Sequence, residues 1–193
     1  MSSQQKINIR NIVLILMIVA AAAMRLVSYK FPVLSNFTPV GAIALFGGVY
    51  FNDKWKAYLV PFAALFVSDV IINYLYTSQL LVWYSGAIWM YISFFAIVFL
   101  GSLIKKVSVG NIVLASLAGV AIHWLLTDID PWLNGTTYAK GINGYFQSLV
   151  AAIPFEKNMI LGDAVFGAIL FGGFELAKRK YTFLRSNREP VAA

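Results

Sequence analysis

From Leu80 to Ile104 the chain runs for 25 residues without one charged side chain. A helix needs about 20 apolar residues to cross the hydrocarbon core of a bilayer, within a usual range of about 17–25. Five further apolar stretches accompany it, at Ile12–Ser28, Phe37–Phe51, Ala57–Tyr76, Val109–Thr127 and Asn158–Ala177. Unbroken runs of this kind cannot be strands of an outer-membrane barrel, which alternate over about ten residues. Composition agrees: 60% of the 193 residues are hydrophobic and only 12% are charged, against about 25% charged in soluble domains. Mean hydropathy is +0.76. The expected fold is an all-α integral membrane bundle of six transmembrane helices. The second stretch is short, and it reaches a crossing length by extending outward through Ser35 and Asn36 or by packing against neighbours.

Lys6 and Arg10 precede an apolar run that reaches Ala20–Ala23, as in a cleavable signal peptide. Its apolar pattern continues through Leu26 and Val27, long enough to span, so a retained helix is expected. The chain is apolar yet carries a net charge of +7, and the position of the charges explains why. Six crossings place Lys6, Arg10, Lys54, Lys56, Lys105, Lys106, Lys178, Arg179, Lys180, Arg185 and Arg188 on one side. Arg25, Lys30, Lys140 and Lys157 fall on the other. Positive charge gathers on the cytoplasmic side, so both termini are expected there, and no nucleic-acid partner is needed to explain the basic excess. One domain should span residues 1–181, with a short cytoplasmic tail over 182–193.

The connection from about Asp128 to Lys157 is the longest and is expected to be an outer loop, punctuated by Pro131, Gly135, Gly141, Gly144 and Pro154. Within it Tyr145–Ile153 reads as a short interfacial helix. Long loops of this kind serve as lids or binding segments.

Ionisable groups inside a membrane span are costly and mark function by default. The spans hold Arg25, Asp69, His123, Asp163 and Glu175. The first four fall in the outer halves of four different helices, with Asn36, Thr38, Asn73, Asp128 and Asn158 at similar depth. Asp69 and Asn73 share a helix face, as do Gly119, His123 and Thr127. Ala164, Ala168 and Gly172 form a small-residue stripe suited to helix packing or docking. Glu175, beside Lys178 and Arg179, reads as a solvated charge. Structural readings stand beside the functional ones. Arg25 can snorkel to headgroups or pair with Asp69 or Asp163, and a neutral His123 can simply be satisfied by a neighbour. Trp83, Tyr84, Trp124 and Trp132 fit an aromatic belt.

Asp69 and Asp163 as a catalytic carboxylate pair acting on a lipid-linked substrate is the alternative reading; an assembly subunit is another. No nucleotide, zinc-protease or serine-hydrolase motif occurs. Without cysteine and with one histidine, no thiolate or multi-histidine metal site can form, and no cofactor is expected.

The run Asn36-Phe37-Thr38-Pro39-Val40-Gly41-Ala42-Ile43-Ala44-Leu45-Phe46-Gly47-Gly48-Val49-Tyr50-Phe51 resembles the opening signature of an uncharacterised bacterial six-helix membrane family of transport proteins. Leu59-Val60-Pro61, Ser68-Asp69, Trp132, Tyr138 with Lys140, Ala151–Phe155 and Gly162-Asp163 continue the pattern in order, over about Arg25 to Lys178. Asp128-Ile129-Asp130-Pro131-Trp132 departs from it, since the family tends to show Asn-Phe-Gly-Val-Trp there. That family is similar in turn to the substrate-binding (S) components of energy-coupling-factor vitamin transporters. The resemblance implies a bacterial inner-membrane protein that captures a small polar or vitamin-like solute from outside and draws energy from a separate ATPase module. On this expectation Arg25, Asn36, Thr38, Asp69, Asn73, His123, Trp132, Tyr138 and Asp163 bind the solute.

Overall fold

Residues 2–31, 36–186 and 191–192 are described by the computed structural model. Ser35 and Arg188 lie outside the described residues. The helices are α1 (Ser3–Ala23), α2 (Arg25–Tyr29), α3 (Val40–Tyr50), α4 (Lys54–Thr77), α5 (Ala87–Ser102), α6 (Val109–Thr127), α7 (Ile129–Leu133), α8 (Ile142–Gly167) and α9 (Gly173–Lys180). A π-helical turn at Ala168–Gly172 joins α8 to α9 into one 39-residue rod. The described β structure is one two-residue pairing of Lys106–Val107 with Val191–Ala192.

Four helical segments are long and apolar enough to cross a membrane: Gln4–Val27, Lys54–Thr77, Val109–Leu133 and Ile142–Lys180. Two of the six expected spans are shorter. The second reduces to the 11 residues of α3, about 16 Å of helix. The fourth reduces to the 16 residues of α5, because residues 78–86 leave the helix: Ser78 (φ 56°) ends α4 in a left-handed turn and Gly86 (φ 80°) opens α5.

Connections gather at two ends of the bundle. At one, the Arg10 guanidinium bonds the carbonyls of Tyr50 (2.6 Å) and Leu184 (3.0 Å), tying α1 to the turn after α3 and to the chain beyond α9. At the other, Ser85 bonds Asp130 and Tyr29 bonds the Leu75 carbonyl. Arg10, expected only as one of the basic residues on the cytoplasmic side, is 2% exposed, because those carbonyls and the Phe174 ring beneath it replace water. Glu175, expected as a solvated charge, is only partly exposed: it accepts from the Tyr50 hydroxyl and pairs with Lys178 at 2.7 Å. The expected tail begins inside the fold, since Leu184 is buried.

α3 is the hub. All 11 of its residues are buried, and it touches α1, α4, α5, α6 and α8. Glycine permits that closeness. A Cβ on Gly48 would stand 2.2 Å from the Val98 carbonyl oxygen, and one on Gly101 2.5 Å from that of Leu45. Aromatic side chains seal the lower part, with Phe46 and Tyr50 against Phe171 and Phe174 at 4.7–5.8 Å between ring centroids.

The expected loop from Asp128 to Lys157 is mostly helix. α7 occupies its start, and Tyr145–Ile153, expected as a separate interfacial helix, belongs to α8. Pro154 does not interrupt α8. It lacks one donor, and its exposed position lets the backbone bend away from the ring without disturbing the core. What remains irregular is residues 134–141, held by Lys140, whose ammonium bonds the carbonyls of Trp132 (2.8 Å) and Leu133 (3.0 Å).

Candidate functional site

The expected site residues divide into three groups rather than one. Arg25 opens α2 and reaches α4, where its guanidinium lies 2.6 Å from the Asp69 carboxylate and also donates to Ser68 Oγ and the Leu65 carbonyl. Arg25 and Asp69 are 8% and 5% exposed. Of the pairings left open by the sequence, Arg25 with Asp69 is the one formed. Asn73, one turn beyond Asp69, faces the Leu81 carbonyl at 3.4 Å and steadies the connection into α5. In that connection the Tyr84 hydroxyl stands 3.5 Å from Asp69 Oδ2 and 2.9 Å from the Met90 sulfur. Burial, and next the Asp69 charge, raise the Tyr84 pKa above its ordinary value, so it remains a neutral donor there.

The second group surrounds the start of α3. Its N-cap residue is Pro39, which has no side-chain oxygen to satisfy the first-turn N–H groups. Asp163, arriving from α8, does this instead. Its Oδ1 accepts from the Ala42 N–H at 2.9 Å and its Oδ2 from the Ser116 hydroxyl of α6 at 3.1 Å. The carboxylate is 4% exposed and sits at the positive end of a helix, where negative charge is favoured. A Cβ on Gly41 would fall 2.4 Å from its oxygen, so only glycine lets the carboxylate in. Thr38 shares this junction: its backbone lies so close to Gly162 that a Cβ there would meet the Thr38 carbonyl oxygen at 2.8 Å. Asn36 shapes the approach with a left-handed backbone (φ 63°), its carbonyl accepting from the Thr38 N–H.

His123 continues this group along α6. Seven residues, or two helical turns, separate it from Ser116, and seven separate Glu156 from Asp163 on α8. The helices therefore meet in rungs. Ser116 faces Asp163. His123 Nδ1 lies 3.4 Å from Glu156 Oε1. Trp124 donates to the Leu149 carbonyl at 2.9 Å, and Ser148 bonds the Asp128 carboxylate at 3.0 Å. Two atoms in this seam lack hydrogen-bond partners among the described residues, His123 Nδ1 and Glu156 Oε2. Glu156 is 6% exposed. In the sequence it falls within the expected outer connection, which runs to Lys157. The signal that identifies it is its seven-residue spacing from Asp163, which puts both acids on one face of a helix.

The third group is Trp132 and Tyr138, near the irregular residues 134–141. The Trp132 indole bonds the carbonyls of Gly141 (3.1 Å) and Ala139 (3.2 Å), and Tyr138 is half-buried. Both sit at the end of the bundle where the seam emerges. Asp69 and Asp163 are engaged by different partners in different helix pairs.

Two clefts lie elsewhere. One of about 510 Å³ runs between α1 and α4 and is apolar, lined by Val19, Leu26, Leu59 and Val67 among others. Another of about 540 Å³, lined by Lys6, Arg10, Asn52, Asp53 and Arg185, opens at the opposite end from Trp132. The stripe of Ala164, Ala168 and Gly172 is exposed rather than packed within the chain. No group of three metal-ligating side chains occurs among the described residues.

Residues 5–187 match the model of a family of unknown function, DUF6580. No curated protein and no solved structure matches the chain.

Proposed function

The chain belongs to the DUF6580 family, whose function is unknown, and from that premise we propose that it is a multi-pass bacterial inner-membrane transport protein. It captures a small polar or vitamin-like solute from the outer side through six crossings, with both termini in the cytoplasm. The observation that carries this reading is the half-length helix α3. Irregular backbone at residues 36–39 gives way to a fully buried half-length helix whose first turn receives a carboxylate from another helix. Non-helical backbone at membrane depth is tolerated only where protein covers it or a cavity needs it. Solute transporters place their sites where helices stop at membrane depth.

In this reading Asp163 is the central ligand. It offers a solute donor the same oxygens that now serve Ala42 and Ser116. Thr38, Asn36 and His123 surround it, and Trp132 and Tyr138 stand at the mouth. Arg25, Asp69 and Asn73 hold the α4–α5 connection in position. A separate ATPase module would supply energy, and the exposed Ala164–Ala168–Gly172 stripe is one face available to it. The reading as an enzyme using Asp69 and Asp163 as a pair has less support, because each carboxylate already has its own partners.

The test starts from solute that copurifies with the protein, identified by mass spectrometry and then titrated. Asp163→Asn should weaken binding at least about tenfold, the worth of one charge-assisted hydrogen bond, while the protein still inserts in the membrane. Wild-type affinity in that variant sinks the assignment. Turnover of a lipid-linked compound, abolished in both aspartate variants, would move the protein to the enzyme class.

A further inference from the structure

The seam between α6 and α8 holds an acid and a base, each with one buried polar atom that lacks a hydrogen-bond partner among the described residues. His123 Nδ1 and Glu156 Oε1 are 3.4 Å apart, near enough to share a proton after a shift of a few tenths of an ångström, yet neither Nδ1 nor Glu156 Oε2 has a hydrogen-bond partner. Burying a bare carboxylate without donors is costly, and a proton is the smallest ligand that removes the cost. We propose that His123 and Glu156 form a proton-binding site that takes up and releases one exchangeable proton as a unit. The inference deepens the transport reading and rests on it for one point only, that the proton is linked to solute capture.

The chemistry balances within the pair. A proton taken from hydronium leaves neutral water, one taken from water leaves hydroxide, and either forms one O–H or N–H bond in the pair. Its transfer from the Glu156 carboxyl to the imidazole breaks an O–H bond and makes an N–H bond, leaving carboxylate and imidazolium with the total charge unchanged.

The surroundings suit this role because the other charges are already engaged. Just past the end of α6, Asp128 accepts from Ser148. On α8, Asp163 is held by Ala42 and Ser116, and Lys157 is exposed. From α3 the seam receives only backbone N–H, its one titratable side chain, Tyr50, lying at the far end with Glu175. α5 carries Tyr91 as its one titratable group, on the side of Phe62 and Trp83. On α7, Asp130 is bonded to Ser85 and Asn134.

The chain has a single histidine, so isotope labelling of histidine yields one ring spectrum. The full chain in lipid nanodiscs is titrated with acid, and the ring shifts are followed by NMR in wild type, Glu156→Gln and the distant control Glu175→Gln. The expected result is a midpoint displaced by about one pH unit or more in Glu156→Gln, the usual effect of a charge at this distance, with Glu175→Gln superposing on wild type. A Glu156→Gln curve identical to wild type overturns the proposal. Should Glu156→Gln fail to fold, pH-difference infrared spectra of wild type and Glu156→Asp decide it. A protonated-carboxyl band that changes frequency in Glu156→Asp and in His123→Gln supports the site; its absence in wild type refutes it. A protein showing the coupled titration but binding no solute would refute the transport reading and leave the proton site standing.

Discussion

At the residue scale, the molecule shows how few ways there are to bury a charge. Arg25 and Asp69 neutralise one another, whereas Asp163 meets helix backbone and a hydroxyl instead of a cation. Removing one member of a buried ion pair leaves the other uncompensated and typically costs about 3–5 kcal/mol, while replacing both with apolar residues is often neutral or better. Asp69→Asn should therefore lower the unfolding temperature in detergent more than Arg25→Met/Asp69→Leu does. The reverse order, read by thermal unfolding, would show that the pair contributes little. The charges were legible in the sequence because they are scarce: Arg25, Asp69, His123 and Asp163 stood out against an apolar background. Their partners were not legible. Arg25 could meet Asp69 or Asp163, and only the packing of α2 beside α4 decides. Glu156 escaped because it falls in the expected outer connection, where Pro154 reads as punctuation, although α8 runs on through that proline.

At the element scale, α3 is the part that the apolar pattern described least well. A run of apolar residues from Phe37 to Phe51 has no periodicity to mark where helix begins. The start is set by Pro39, by the left-handed Asn36 and by a carboxylate from 121 residues further along. Its glycines tell more once neighbours are known. Gly48 and Gly101 lie where α3 and α5 nearly touch, and Gly110 faces open space. Gly48→Ala and Gly101→Ala should each destabilise by about 1–3 kcal/mol through overpacking. Gly110→Ala should be neutral or stabilising by up to about 1 kcal/mol through helix propensity. Thermal unfolding of the three variants checks the contrast. Equal effects would mean that the α3–α5 contact is looser than described. The π turn at Ala168–Gly172 begins five residues after Asp163, and such turns recur near functional sites. It too is invisible to hydrophobic patterning, since an extra residue in a turn leaves composition unchanged.

At the scale of the whole molecule, the bundle's connections alternate between two ends. One gathers Arg10, Tyr50 and Leu184, and the other Tyr29, Ser85 and Asp130. On the proposed topology the first of these ends, which carries the basic excess of the sequence, faces the cytoplasm. Because the chain lacks cysteine, single cysteines can report sidedness without background. Gln4→Cys should react with an impermeant maleimide only after the membrane is opened, and Thr137→Cys in intact cells. The opposite pattern inverts the topology, and labelling of both from one side refutes an odd number of crossings between them. Long apolar segments made the helical class legible from sequence. The placement of α3 within the bundle depends on contacts with five other helices, which no single stretch encodes. That placement has a consequence for biogenesis. A helix about 16 Å long, buried on every side, spans only about half of the hydrocarbon core. It has no face made for lipid, so it has little reason to rest in the bilayer alone. Insertion and assembly are separable stages for most membrane helices, but here they converge: the chain around α3 is settled only when its neighbours close over it.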